Sequence, residues 1–211
     1  MIYSTQPWCN LGVQLDSELS FDAQAHNCIK SCYYHLRRIN QIKRYVDQEC
    51  LRSLVHAFIT SRLDYCNSLY AHCHISTRQR LQRVQNRAAR FVLSAPPRSS
   101  SLPLLQQLHW LPIEARVSYK LCCLMYRVVH GAAPSYITEL CEPCLDTRLR
   151  STSRGDFIVP RSNRHLADRS FSVAAPSAWN QLLAGSKRKV QQQQLPANIR
   201  KFVTVQPSQH S

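Results

Sequence analysis

Apolar residues recur at helical spacing along most of the chain. Over 22–45 the inward positions are Ala25, Ile29, Cys32, Leu36, Ile39 and Ile42, while Lys30, Arg37, Arg38, Lys43 and Arg44 occupy the other face. Ser20 is the candidate N-cap of this helix. A second helix is expected over 47–60, capped by Asp47, with Cys50, Leu51, Leu54, Val55 and Phe58 turned inward. A short third helix is expected over 63–70. The clearest pattern spans 77–94, with Ser76 or Thr77 as cap. There Leu81, Val84, Ala88, Phe91, Val92 and Ala95 share an arc of about 100°, and Arg80, Arg83, Arg87 and Arg90 share a flanking arc of about 80°.

Pro96 to Ser101 reads as a loop, followed by a short apolar helix over 102–108. His109-Trp110-Leu111-Pro112 turns the chain. Helix 112–130 then carries Ile113, Val117, Leu121, Leu124, Met125, Val128 and Val129, and Gly131 ends it. Pro134 opens a further helix through about Cys141. Leu11 to Asp16 alternates and predicts a short strand. From Glu142 to Pro176 the pattern fades, leaving Phe157-Ile158-Val159-Pro160 as a candidate strand. Residues 185–194 run from Gly185 through Lys187-Arg188-Lys189 into four glutamines, a composition expected to be disordered.

Composition narrows the function classes. The 211 residues are 44% hydrophobic with only 4 Gly, which suits a helical fold with a real core. Lys+Arg number 27 against 12 Asp+Glu, a formal +15 that favours polyanionic partners, nucleic acid first among them. The plainer alternative is a basic soluble protein with no such partner. The first residues, interrupted by Pro7, Gly12, Asp16 and Glu18, contain no apolar core of a secretory signal. The longest apolar run, Leu121 to Tyr126, is far short of the ~20 residues a bilayer requires. The 10 Cys lie within helical patterns, as at Cys28, Cys32, Cys122 and Cys123, and read as thiols in a reducing compartment rather than a disulfide framework. An intracellular location, with no membrane and no small-molecule substrate, is the resulting expectation.

A series of short motifs then follows in order. They are Leu11-Gly12-Val13 with Leu15-Asp16 and Leu19-Ser20-Phe21, then Arg62-Leu63-Asp64-Tyr65-Cys66-Asn67-Ser68-Leu69. Next come Leu81-Gln82-Arg83-Val84-Gln85-Asn86-Arg87-Ala88-Ala89-Arg90 and Leu105 to Ala115, centred on Leu108-His109-Trp110-Leu111-Pro112. His130-Gly131 with Ala133-Pro134-Ser135-Tyr136, and Phe171-Ser172-Val173-Ala174-Ala175-Pro176 with Trp179-Asn180, complete the series. Together they resemble the thumb and downstream region of a non-LTR (LINE-type) retrotransposon reverse transcriptase. The resemblance covers about residues 10–183. It implies thumb-like and connector helices over 10–95, a helical extension over 102–183, and descent from an RNA-directed DNA polymerase. Residues 1–9 do not continue the resemblance, and a Lys/Gln-rich stretch separates Leu182 from Leu195-Pro196 and Ile199-Arg200.

Polymerisation requires carboxylates that hold paired metal ions. The chain contains no adjacent Asp pair, so no polymerase activity is expected, and neither a cofactor nor a catalytic residue is assigned. Cys141 and Cys144 have zinc-hook spacing, and Cys66, His72, Cys73 and His74 are crowded, but neither set has a second properly spaced pair, so no metal site is assigned. Trp110 and Trp179 read as core anchors before stacking platforms.

The expected fold is therefore all-α, with one short N-terminal strand or hairpin, a helical thumb-like bundle, a helical extension and a disordered tail over 184–211. The expected function is non-specific binding of the backbones of an RNA–DNA or DNA duplex. Arg80, Arg83, Arg87, Arg90, Lys30, Arg37, Arg38, Lys43 and Arg44 are the candidate contacts. The alternatives are a helical protein-interaction module and a remnant without function.

Overall fold

The computed structural model describes residues 8–144, 155–161 and 165–182. Among them the fold is mostly helical, with one short antiparallel hairpin. The tail over 184–211 lies outside the described residues. Two compact units divide the chain at Val117, within a helix.

In the first unit, strand β1 (Trp8–Asn10) pairs with β2 (Val13–Leu15), Cys9 opposite Gln14. Leu11 and Gly12 form the two-residue turn with φ 47° and 77°. Positive φ at both positions is what a tight right-twisted hairpin needs, so these residues leave the predicted strand and join the turn. Trp8 and Cys9 therefore lie in the hairpin.

The approach to helix α1 (Asp22–Ile42) is organised by Asp16. Its carboxylate accepts from Ser20 N at 2.7 Å, Phe21 N at 2.9 Å and Ser20 Oγ at 3.0 Å. Phe21, left-handed at φ 57°, occupies the cap position expected of Ser20. Burial works to raise the Asp16 pKa, but the hydrogen bonds from Ser20, Phe21 and Glu18 outweigh it, and the net direction is downward. α1 buries Ala25, Cys28, Cys32, Leu36 and Ile39. Ile42, expected inside, is exposed because α1 ends there and a 3₁₀ turn (Lys43–Tyr45) follows.

Asp47 caps α2 (Gln48–Val55), accepting from Cys50 N at 2.7 Å. The helix continues as a π turn (His56–Thr60) and then α3 (Ser61–Asp64). The wide turn changes which residues face inward. Leu51, Val55, Ile59 and Leu63 are buried at a strict stride of four, whereas Phe58 and Cys50 are exposed. Only the second half of the expected third helix appears, as a 3₁₀ turn (Asn67–Tyr70), since Leu63 and Asp64 still belong to the preceding helix.

α4 (Ile75–Val92) starts two residues earlier than its spacing suggests. His74 is the cap, its ring nitrogen accepting from Ser76 N at 3.3 Å. Thr77 is instead buried and its hydroxyl donates to the Asp22 carboxylate. Lys43 Nζ and Gln48 Nε2 reach the last carbonyls of α4, at Phe91 O (3.0 Å) and Val92 O (3.4 Å), which no helical N–H can satisfy. α5 (Ser101–Gln107) follows, then α6 (Ile113–Val129).

Three of the motif segments meet at the start of α6. Gln82 Oε1 accepts from Ile113 N at 2.8 Å, and the buried Gln85 donates from Nε2 to Leu111 O at 2.8 Å. Arg116 donates from Nε to Leu111 O at 2.9 Å, and its Nη1 lies 2.7 Å from the Asp64 carboxylate.

In the second unit Leu121, Met125 and Val128 of α6 are buried, and Gly131 ends the helix at φ 63°. Pro134 precedes α7 (Ser135–Thr138), which is one turn long and shorter than expected. Phe157 makes one isolated bridge to Pro143 in place of the predicted strand. Two helices occupy sequence whose periodicity had faded: α8 (His165–Asp168) and α9 (Phe171–Asn180), the latter containing Pro176. The side chain of Trp179 is fully buried and its Nε1 donates to Gly155 O at 3.0 Å. Asn180 holds the Phe157 backbone from both sides, accepting from N at 2.9 Å and donating to O at 2.7 Å. An amide side chain thus does for Phe157 what a neighbouring strand would do.

Candidate nucleic-acid interface

The nine basic residues singled out from sequence all lie on α1, the turn after it, and α4. α4 carries five arginines, at 78, 80, 83, 87 and 90, and no Asp or Glu. Residues 23–46 also contain no acid. Thr77, Leu81, Val84, Gln85, Ala88, Ala89 and Val92 bury one side of α4, so packing fixes the direction of its arginines.

α1 and α4 run parallel. Thr77 meets Asp22 at their starts, Arg80 Nη2 lies 3.3 Å from His26 Nδ1, and Lys43 reaches Phe91 at their ends. At 100° per residue, Tyr33, Arg37 and Lys30 stand about 100°, 140° and 160° from the buried Cys32, on the flank that bears His26. Arg80, Arg87 and Arg83 stand about 80°, 100° and 140° from the buried Ala88, on the flank that meets α1. The two flanks face the same groove. Lys30, Arg37, Arg83 and Arg87 are all exposed there, and Arg80 is half-buried against His26.

The remaining cations are placed differently. Lys43 is partly buried, bonded to Phe91 O and lying 4.7 Å over the Phe91 ring. Arg90 donates from Nε to Ser99 O at 3.1 Å and so holds the loop after α4. Arg44 lies 4.7 Å over the Tyr45 ring. Arg38 projects from the opposite flank of α1. Charge spacing alone would not have marked Tyr33 or His26 as groove residues, since neither is a permanent cation.

Of the cysteines, Cys28, Cys32, Cys73 and Cys141 are buried and Cys9 and Cys50 exposed. Cys141 Sγ lies 3.5 Å from Met125 Sδ, and burial pushes its pKa up. Among the described residues no three His, Cys, Asp or Glu side chains converge in a way that could hold a metal ion. Among the same residues no helix is long and apolar enough to cross a membrane. No family model, no characterised protein and no solved structure matches the chain.

Proposed function

We propose that this chain is a module that grips nucleic-acid backbones without reading sequence, derived from the thumb region of a LINE-type reverse transcriptase and itself unable to polymerise. The observation that supports this reading is the pairing of two basic flanks along one groove, on α4, which carries no acid, and on α1, whose one acid is Asp22 at its first turn. A duplex carries one phosphate charge per ~1.7 Å of its axis, so a groove lined by guanidinium groups along two parallel helices is complementary to it. Phosphates carry no base identity, hence the lack of sequence preference. The absence of an Asp-Asp pair in the sequence supports the non-catalytic part of the proposal.

The test replaces Arg83 and Arg87 by Gln, which preserves helix propensity and removes two exposed charges. Binding of B-form DNA is measured across a salt series. Each lost phosphate contact lowers the slope of log K against log salt by ~0.9, so the double variant should lose up to ~1.8. The loss should be the same on unrelated sequences. Unchanged circular dichroism together with wild-type affinity and slope would show that the groove is only a solvated surface.

A further inference from the structure

The opposite flank of α1 has a different character. Tyr34 projects there and is 53% exposed. Phe58 is 41% exposed, turned outward by the π turn that keeps Ile59 inside. Between them lies His35, its ring 5.2 Å from Phe58 in a stacked arrangement at 21°, and 5.3 Å from Tyr34 edge-on at 81°. Burial first, and then the Arg62 charge, hold the His35 pKa below its ordinary value, so the ring is neutral at neutral pH. It therefore joins the two exposed rings as an aromatic spacer.

Each exposed ring has an arginine one helical turn further on. Arg38 follows Tyr34, Arg62 follows Phe58, and both arginines are exposed. The two helices are held together at this place by thiol contacts, Cys28 Sγ to Arg62 O at 3.5 Å and Cys32 Sγ to Ile59 O at 3.9 Å. Neither stretch, 23–46 or 50–63, contains an acidic residue.

We propose that Tyr34, His35 and Phe58, flanked by Arg38 and Arg62, form a stacking platform for unpaired bases, so that this face binds single-stranded nucleic acid. Exposed rings offer their faces to any base, and the arginines one turn away meet the phosphates between stacked bases. A duplex hides its base faces and gains nothing from these rings. The surface is thus distinct from the α1/α4 groove, and the inference does not rest on the groove binding anything.

The test compares a fluorescein-labelled single-stranded oligothymidylate with a hairpin duplex of equal length. The variant is Tyr34→Ala with Phe58→Ala, both exposed positions whose loss leaves the core intact, with Tyr34→Phe plus Phe58→Tyr as the conservative control. The alanine variant should bind the single strand about tenfold more weakly or worse and the duplex as wild type does. The conservative variant should keep wild-type affinity for both. A 2-aminopurine placed in the single strand should be quenched by the wild-type protein and not by the alanine variant. Wild-type single-strand affinity in the alanine variant, an equal loss on the duplex, or an unquenched 2-aminopurine would each overturn the platform. So would equally tight, ring-dependent binding of polyglutamate, which would mark a surface for acidic protein segments instead.

Discussion

Deleting Ala57 should leave the first unit folded, although it removes a residue from the middle of a core helix. Leu51, Val55, Ile59 and Leu63 are buried at intervals of four. In a regular α-helix, Ile59 would stand about 80° and Leu63 about 120° away from Leu51. The π turn over His56–Thr60 absorbs that discrepancy. Without Ala57 the same residues are separated by seven and eleven positions, which returns each to within about 20° of Leu51 on an ordinary helix. Ser61 N already donates to His56 O, five residues back. After the deletion that bond joins residues four apart and becomes an α-helical one. The hydroxyl bond from Ser61 to Ala57 O would pass to the neighbouring carbonyl. A comparable deletion in regular α4, of the exposed Arg83, rotates the buried Thr77 and Leu81 by about 100° against Val84, Ala88 and Val92. Turning Leu81 out of the core costs about 1.5–3 kcal/mol and breaking the Thr77 bond to the Asp22 carboxylate about 1.5–3 kcal/mol more, a large share of the ~5–15 kcal/mol available to a domain. The Ala57 deletion should cost less than ~1 kcal/mol, a shift of no more than about 4–8 °C in Tm. Thermal and urea denaturation followed by circular dichroism compares the two. If the Ala57 deletion unfolds the protein as the Arg83 deletion does, the stride-of-four explanation of the π turn is wrong.

Two further outcomes follow from the polar contacts. The lowered Asp16 pKa means that its stabilising effect is complete above the unfolded carboxyl value of about 3.9 and is lost as pH falls through the lower folded value. Tm of Asp16→Asn should therefore fall less steeply with acid than that of the wild type below about pH 4, and parallel curves would contradict this sign. The Asp64–Arg116 pair, with side chains 27% and 14% exposed, is partly shielded. A double-mutant cycle with Asp64→Asn and Arg116→Met should return a coupling of about 0.5–3 kcal/mol by urea denaturation, and a coupling near zero would reduce the contact to coincidence.

The long helices were legible because burial of one face leaves a 3.6-residue trace in any sequence. α1, α4 and α6 follow it to within about three residues. Caps were harder. Asp47 caps as its type suggests, but before α1 the cap position falls to Phe21, with the Asp16 carboxylate taking the Ser20 and Phe21 backbone donors and the Ser20 hydroxyl accepting from Asp22 N at 3.3 Å. Phe58 was misplaced because a periodicity argument assumes one residue count per turn, and the π turn breaks it. α9 leaves no clear periodicity because Pro176 and the preceding Ser- and Arg-rich sequence have the composition of a loop. Pro176 is itself buried beside Trp179, so packing accommodates it.

For the candidate interface, the sequence alone shows that α4 has a dry side and an arginine flank, since residue type and spacing suffice for that. It also shows that α1 is basic on its outer side. The packed fold sets the two helices parallel, with their basic flanks toward one groove, because helix pairing depends on contacts such as Thr77–Asp22 and Arg80–His26, each more than fifty residues apart in the chain. The fold also decided how individual charges are used. Lys43 and Arg90 look like their neighbours in sequence, yet their donors are turned to Phe91 O and Ser99 O. A carbonyl at a helix end or in a tight loop needs a donor, and which cation lies within reach is a property of the packed chain rather than of any local pattern.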